Sequence, residues 1–213
     1  METTASNIAD FLLQIKAVKL QPDKPFTWAS GWKSPIYCDN RVTLSHPRIR
    51  TYIRQELVKI IDDKFGTPDI IAGVATGAIA HGVLVAEAMG LPFVYVRPTV
   101  KDHGRQNIIE GHVKENQSVV VIEDLISTGK SSLSAVEVLR EKGLIVKGMV
   151  SVFNYGFKIA IENFRHANCP VYSLSNYDAL IHEAVEQGFI RNEDEESLRE
   201  WRSNPSEWIH QKK

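Results

Sequence analysis

The sequence predicts an α/β fold built on a doubly wound parallel sheet. Short apolar runs of strand length alternate along the chain with longer segments whose apolar residues recur at helical spacing, which is typical of parallel βαβ units. Residues 119–122, VVVI, are apolar without interruption, as expected of a central strand buried on both faces. Polar turns that contain glycine follow two predicted strands, at the edge where α/β sheets bind ligands.

The first part of the chain is predicted to form two helices with two short strands between them. Residues 6–19 carry apolar side chains at helical spacing among polar and acidic ones, which indicates a surface helix and not a signal peptide. The two strands are expected within residues 26–39, and the second helix over 46–64.

Residues 70–89 are apolar over about the length of a membrane span. Three glycines and a Pro-Asp start instead divide the stretch into a strand over 69–74, a tight turn and a helix over 78–89. The turn reads Ala75-Thr76-Gly77-Ala78, and its amides can face an anion where a side chain would obstruct.

The second half of the chain continues the alternation. The predicted strands span 92–96, 118–123, 145–153 and 170–174, and the predicted helices span 131–142, 157–165, 176–187 and 194–202. The tail is rich in charge, and its apolar Leu198, Trp201 and Trp208 predict packing on the body, with a solvated terminal helix as the alternative.

Composition limits the classes of function. With 213 residues, of which 43% are hydrophobic, the chain fits one domain spanning 1–213. A net charge of −1 offers no general attraction to nucleic acid or to an anionic membrane, so neither is expected as a partner. Cys38 and Cys169 lie far apart, which predicts a reduced, cytoplasmic setting. The histidines show no pair at ligand spacing with nearby carboxylates, so no metal site formed by the protein alone is expected.

The segment with the most chemical content is 119–132, VVVIEDLISTGKSS. Here a buried strand ends in two carboxylates and leads directly into a turn rich in hydroxyls and glycine, followed by a helix. The free amides and hydroxyls at the start of that helix can hold a phosphate dianion. Glu123 and Asp124 then remain to bind sugar hydroxyls or a metal-linked partner.

Two other interpretations of this segment are weaker. The GKS at residues 129–131 is shared with nucleotide-binding P-loops, but that motif requires a glycine five residues earlier, where this chain has Asp124. An ordinary helix start capped by Ser127, with two solvated acids, does not account for acids that directly follow a buried strand.

A basic loop is predicted between the second strand of the sheet and the acid pair. Residues 95–111 gather Arg97, Lys101, His103 and Arg105 in a stretch of low hydrophobicity. Cations on a loop that closes over a leaving anion would neutralise its charge and exclude water. A solvated basic loop is the alternative.

These segments resemble a known family. Residues 119–132 resemble the phosphoribosyl pyrophosphate (PRPP) motif of type I phosphoribosyltransferases, and the pattern R-x-x-x-K-x-H-G from Arg97 resembles the catalytic loop of their orotate-specific branch. Residues 25–41, PFTWASGWKSPIYCDNR, resemble the N-terminal hood over the pyrimidine, and 173–184 also match. The resemblance implies a hood subdomain within residues 1–45 and the transfer of phosphoribosyl from PRPP to orotate in pyrimidine (UMP) biosynthesis, giving orotidine 5'-monophosphate and pyrophosphate.

The resemblance also implies roles for individual residues. Catalysis falls to Lys101, His103 and Asp124, and Ser127 contacts orotate. The residues implied in PRPP binding are Arg97, Lys101, His103, Glu123, Asp124, Leu125, Ile126, Ser127, Thr128, Gly129, Lys130 and Ser131. The loop cations are expected to serve the neighbouring subunit of a homodimer with shared active sites. Mg²⁺ is expected to arrive with PRPP, held mainly by substrate oxygens.

The sequence departs from the family pattern at several cationic positions. Pro98 and Ala29 replace lysines that many relatives have, and the 75–78 turn carries no lysine. The arginine that often binds orotate is replaced by Asn154 or Tyr155, and the sequence does not decide between these positions. Either the remaining loop cations suffice, or Lys33 and Arg41 in the hood compensate.

Two alternatives to this function are kept. A PRPP-sensing regulatory protein would use the same motif but should show a basic face or an added helix-turn-helix, and neither is visible. A phosphoribosyltransferase for another nucleobase would differ mainly in the hood and the basic loop.

Overall fold

The computed structural model describes residues 2–28, 31–97 and 108–208 of the chain. The helices are α1 (Glu2–Gln14), α2 (Pro47–Phe65), α3 (Ile79–Met89), α4 (Lys130–Glu141), α5 (Lys158–His166), α6 (Tyr177–Glu186) and α7 (Glu195–Ser203), with 3₁₀ turns at Asn40–Ser45 and Asn192–Asp194. The strands are β1 (Val18–Leu20), β2 (Phe26–Thr27), β3 (Lys33–Ser34), β4 (Ile36–Cys38), β5 (Ile70–Val74), β6 (Phe93–Val96), β7 (Ile109–Glu110), β8 (Ser118–Ile126), β9 (Ile145–Asn154) and β10 (Val171–Asn176).

A six-stranded sheet with the order β10-β9-β8-β5-β6-β7 forms the body of the molecule. Every neighbouring pair is parallel except β6 and β7, so the predicted α/β class with a parallel sheet is confirmed. All five residues of β5 are buried, as the apolar run predicted. The edge strand β7 was not predicted, because two residues are too short to show a periodic pattern.

The crevice of this sheet lies between β5 and β8. The chain leaves β5 for β6 on one side, whereas β8 and β9 extend the sheet on the other. At such a reversal of strand order the connecting segments diverge, leaving room for a ligand at the carboxyl ends of the strands.

The first helix is shorter than predicted. It ends at Gln14 rather than at residue 19, and Lys16 has a positive φ of 57° that stops the helix. Val18–Leu20 then forms a strand that pairs with β4. Helix α1 packs against α6 and β10, where the Ser175 hydroxyl donates a hydrogen bond to the Ala5 carbonyl oxygen.

The N-terminal strands form two small sheets outside the main one, β1 with β4 and β2 with β3. The C-terminal helix α7 fastens this region to the body: Trp201 is fully buried, and its indole Nε1 donates to the Lys33 carbonyl oxygen at 3.0 Å. Trp201 also packs edge-on against Trp28, with ring centroids 5.6 Å apart. The prediction that the tail packs on the body is thereby confirmed for Trp201. None of the described helices has the length and apolar character needed to cross a bilayer.

Candidate active site

The predicted phosphate-binding residues lie at the carboxyl edge of the sheet. A cavity of about 410 Å³ opens there between the ends of β5 and β6 and the face of α4 as far as Val138. Its lining includes Ala75, Arg97, Thr128, Lys130 and Ser131. The structure thus brings the two predicted anion-binding turns and the first loop cation to one place.

The turn before α4 is arranged to receive an anion. Gly129 occupies the N-cap position with φ of 76°, and no side chain of the described part of the chain caps the helix. The first amides of a helix have no intrahelical partner, so an uncapped start leaves them for a ligand. A side chain at position 129 would be strained by the positive φ, and its Cβ would come within 2.7 Å of the Phe164 ring.

Helix α5 supports this turn from behind. The Asn163 amide Nδ2 donates to the Thr128 carbonyl oxygen at 3.0 Å, and Phe164 packs on Gly129. Neither residue was identified from the sequence, because α5 carries no motif and the contact joins positions 35 residues apart.

The two acids of the motif make different contacts with the rest of the site. Strand β8 extends to Ile126, so Glu123 and Asp124 lie within it as neighbours, and their carboxyl groups interact with each other. Glu123 is 4% exposed, and its carboxylate accepts hydrogen bonds from the Ser132 hydroxyl at 2.7 Å and from the Asp124 amide at 3.0 Å. Burial, followed by the neighbouring charge of Asp124, raises the pKa of Glu123 well above its ordinary value. Glu123 thus joins β8 to the first turn of α4.

Asp124 faces the hood and the 75–78 turn. Its carboxylate lies against Gly77 so closely that a Cβ at that position would overlap with it. Its main-chain carbonyl accepts from the Asn40 side chain at 2.6 Å. Burial raises the pKa of Asp124, and the hydrogen bond to Glu123 opposes that shift.

The 75–78 turn offers backbone donors beside this carboxylate. Within it, the Ala75 amide donates to Val96 and the Ala78 amide to Val74. The amides of Thr76 and Gly77 have no hydrogen-bond partner among the residues that the structure describes. These two amides are available as donors, and the predicted role of the turn in binding an anion stays a prediction.

The predicted cations are placed only in part. Arg97 leaves the end of β6 and forms an ion pair with Glu110 of β7, with 3.0 Å between Nη1 and Oε1. Lys101, His103 and Arg105 lie outside the described residues, as do Ala29 and Pro98. Their assignments stay predictions.

Both hood cations are engaged within the hood. The Lys33 ammonium donates to the Thr27 hydroxyl at 2.8 Å. Arg41 binds Asp39 through two hydrogen bonds of 2.6 and 2.8 Å. Each would have to give up these contacts to compensate for a missing cation at the substrate.

The two positions left open for the missing arginine differ in their surroundings. Tyr155 is 2% exposed and stacks on Phe157 with ring centroids 5.3 Å apart. Asn154 is partly exposed at the end of β9, in register with Ile126 and hence beside Ser127. Its Oδ1 accepts from the Gly156 amide at 2.8 Å, which orients the Nδ2 donors away from that turn. Asn154 is thus the more exposed of the two positions, and its Nδ2 has no partner among the residues that the structure describes.

The described residues contain no group of three or more histidines, cysteines or acids that could hold a metal ion. Asp124 is the motif carboxylate that reaches the crevice. This donor set fits a divalent ion that keeps most of its ligands from a substrate's phosphates.

Comparisons with known proteins identify the family of this chain. Residues 43–158 match the model of the phosphoribosyl transferase domain. Orotate phosphoribosyltransferase of Porphyromonas gingivalis is 56% identical, with 98% of this chain and 99% of that protein aligned. The Staphylococcus saprophyticus enzyme of the same name is 53% identical, with 95% and 100% aligned. The crystal structure of orotate phosphoribosyltransferase from Aeropyrum pernix superposes with a TM-score of 0.76 at 26% identity, covering 86% of this chain and 99% of that one.

Proposed function

The chain belongs to the phosphoribosyltransferase family and, within it, to the orotate phosphoribosyltransferases, and from this premise we propose how its residues divide the work. The enzyme transfers the phosphoribosyl group of PRPP to orotate, giving orotidine 5'-monophosphate and pyrophosphate for pyrimidine biosynthesis. The observation that carries the assignment of the site is the uncapped start of α4 next to an acid that faces a second turn with unpaired amides.

We propose that PRPP lies along the crevice with its 5-phosphate on residues 127–131. The helix dipole and the first amides of α4 stabilise the dianion there. Asp124 holds the ribose hydroxyls, and the amides of Thr76 and Gly77 face the pyrophosphate. Leu125 and Ile126 contribute through main chain, since Ile126 is fully buried. Glu123 supports PRPP binding by holding the first turn of α4 through Ser132.

The proposed reaction needs no covalent enzyme nucleophile. The orotate ring nitrogen attacks the anomeric carbon as pyrophosphate departs, so the protein positions the reactants and stabilises charge on the leaving group. Arg97, Lys101 and His103 supply cations, and the loop that carries the last two excludes water from the reacting carbon. Asp124 stabilises positive charge that develops on the ribose. Mg²⁺ would be held mainly by PRPP, with Asp124 as the acid that could assist, and would add positive charge at the phosphates.

We propose that Ser127 and Asn154 recognise orotate together. The Ser127 hydroxyl follows β8 directly, and Asn154 occupies the neighbouring strand end with its amide donors directed away from Gly156. Neutral donors can hydrogen-bond to the carbonyl or carboxylate oxygens of orotate. Between the two open positions, the burial of Tyr155 favours Asn154.

We further propose a cytoplasmic homodimer in which the Lys101 loop of one subunit completes the site of the other. The thiols of Cys38 and Cys169 are not joined in a disulfide, which supports a cytoplasmic location. The balanced charge supports small molecules, rather than nucleic acid or membrane, as the partners.

Substrate specificity is tested by incubating the protein with PRPP, Mg²⁺ and one nucleobase at a time while following the release of pyrophosphate. Orotate should support turnover, and uracil, adenine, guanine and hypoxanthine should not. Faster release with one of the other bases would refute the assignment to orotate. PRPP binding with no release for any base would favour the regulatory alternative.

A further inference from the structure

Asn40 connects the hood to the acid of the site. It begins the 3₁₀ turn that follows β4, and only 1% of its surface is exposed. Its Nδ2 donates to the Asp124 carbonyl oxygen at 2.6 Å, and its Oδ1 accepts from the Cys38 thiol at 3.2 Å. The bond to Asp124 joins residues that are 84 positions apart.

The position of this bond in the sheet gives it a particular role. The pairing of β8 with β5 ends at Ile122, whereas its pairing with β9 continues to Ile126. Asp124 therefore lies beyond the end of β5, where the sheet opens into the crevice. Asn40 supplies a donor to the Asp124 main chain at the point where a neighbouring strand is missing.

Asn40 is itself held by a buried polar chain. The Thr43 hydroxyl donates to the Asn40 carbonyl oxygen at 2.6 Å. The same hydroxyl oxygen lies 3.3 Å from Nε2 of His81 in α3. Thr43 and His81 are both fully buried. These contacts hold the main chain of Asn40, while its side chain is held by the hydrogen bonds to Asp124 and Cys38.

Asp124 is thus confined from two sides, by Asn40 at its main chain and by Gly77 at its carboxylate. We propose that Asn40 is a positioning residue. By holding the main chain of Asp124, it fixes where the Asp124 carboxylate lies and how it is oriented toward the ribose of PRPP. The inference rests on the proposed function, because it assumes that Asp124 binds ribose. It assigns a second task to the hood, which connects through Asn40 to the ribose acid and not only to the pyrimidine.

The test compares Asn40→Ala with Ser175→Ala. Ser175 is a matched control because it is fully buried and donates one hydrogen bond to a backbone carbonyl, at 2.8 Å, in a strand that is not adjacent to β8. Asn40→Asp serves as a second variant that keeps the side-chain size and removes the donor. For each protein we would measure the melting temperature, kcat and KM for PRPP, and the affinities for PRPP and for inorganic phosphate.

Asn40→Ala should lower kcat/KM for PRPP on the order of 10- to 100-fold, as expected when a reacting group is displaced by a fraction of an ångström to 1 Å. Its affinity for inorganic phosphate should stay within about twofold of wild type, because phosphate binds the start of α4 and not Asp124. Ser175→Ala should lose thermal stability while its kinetic constants stay near wild type. Asn40→Asp should show the same loss of kcat/KM for PRPP as Asn40→Ala, because it also lacks the donor to the Asp124 carbonyl oxygen.

Three results would overturn the proposal. One is wild-type kcat/KM for PRPP in a folded Asn40 variant. The second is a loss of kcat/KM in Ser175→Ala as large as that in Asn40→Ala. The third is a loss of phosphate affinity in Asn40→Ala as large as its loss of PRPP affinity. Either of these last two results would indicate a general disruption of the fold. Failure of the proposed function would look different, because the wild-type protein itself would then release no pyrophosphate.

Discussion

Lowering the pH from 7.5 to 5 should destabilise the fold through His81. This side chain is fully buried in α3, and its Nδ1 has no hydrogen-bond partner among the described residues. The Thr43 hydroxyl donates its proton to the Asn40 carbonyl oxygen, so it can only accept a hydrogen bond from Nε2 of His81. We therefore infer the neutral tautomer of His81 that carries its proton on Nε2. Burial lowers the pKa of His81 from 6.5 to about 4, and the nearby charge of Arg50 adds to the shift.

The sign and size of the effect follow from this pKa. A histidine whose pKa is lower in the folded protein stabilises the fold fully above its unfolded pKa of 6.5 and loses that contribution as the pH falls toward 4. At about 1.4 kcal/mol for each pKa unit, the full shift corresponds to about 3 kcal/mol. By pH 5 about 2 kcal/mol of this should already be lost.

Urea unfolding of the wild type and of His81→Gln at pH 7.5 and pH 5 isolates the contribution. Glutamine does not titrate, and its amide can replace Nε2 as a donor to Thr43. Other groups, including Glu123 and Asp124, titrate in both proteins and cancel in the comparison. The wild type should lose about 2 kcal/mol more than the variant between the two pH values. Equal losses in the two proteins would show that His81 is not buried in its neutral form.

Four further outcomes are expected at the active site. Gly77→Ala should lower kcat on the order of 10²-fold with little change in melting temperature, because the new methyl group displaces the Asp124 carboxylate; unchanged kcat would place Asp124 elsewhere. Lys101→Ala should lower kcat on the order of 10²- to 10³-fold with a smaller effect on PRPP affinity, and near-normal turnover would contradict the loop assignment. Asn154→Ala should raise KM for orotate about tenfold without changing KM for PRPP, and the opposite pattern would argue against orotate contact. Mixing Lys101→Ala with Asp124→Asn protein should restore roughly a quarter of wild-type activity if sites are shared between subunits, and no recovery after verified subunit exchange would show that each loop serves its own chain.

The fold was predictable because its signals are local. The apolar runs of β5 and β8 identify buried strands, and the glycines after β5 mark the turn before α3. The error at the end of α1 has a local cause as well, since a lysine in the left-handed region ended a helix whose apolar spacing continues. Periodicity reports which face is buried but not where one residue leaves the helical conformation.

The site was predictable only where its residues are adjacent in sequence. The motif predicted the anion-binding turn but not the different contacts of Glu123 and Asp124, with Ser132 and with Gly77 respectively, which depend on how the strand and the turns around it are placed. Asn40 and Asn163 were missed because each acts through one hydrogen bond to a distant main-chain carbonyl, and such a bond requires no particular spacing or neighbour. Residues of this kind become identifiable only once the strand ends are placed in space.

Main-chain amides of the crevice offer an alternative to the lysines that many relatives have and this sequence lacks. In the part of the chain that the structure describes, Arg97, Lys33 and Arg41 each have a partner within the protein. Among the described residues, the main-chain amides of Thr76 and Gly77 and those at the start of α4 have no such partner. Amides fixed in a turn need no reorganisation as charge develops, so they stabilise a leaving group without the side-chain ordering that a lysine requires. We therefore expect turnover to depend on the geometry of the two turns, so that substitution of a residue that holds them, Gly77, Asn40 or Asn163, should lower turnover as strongly as the loss of a cation.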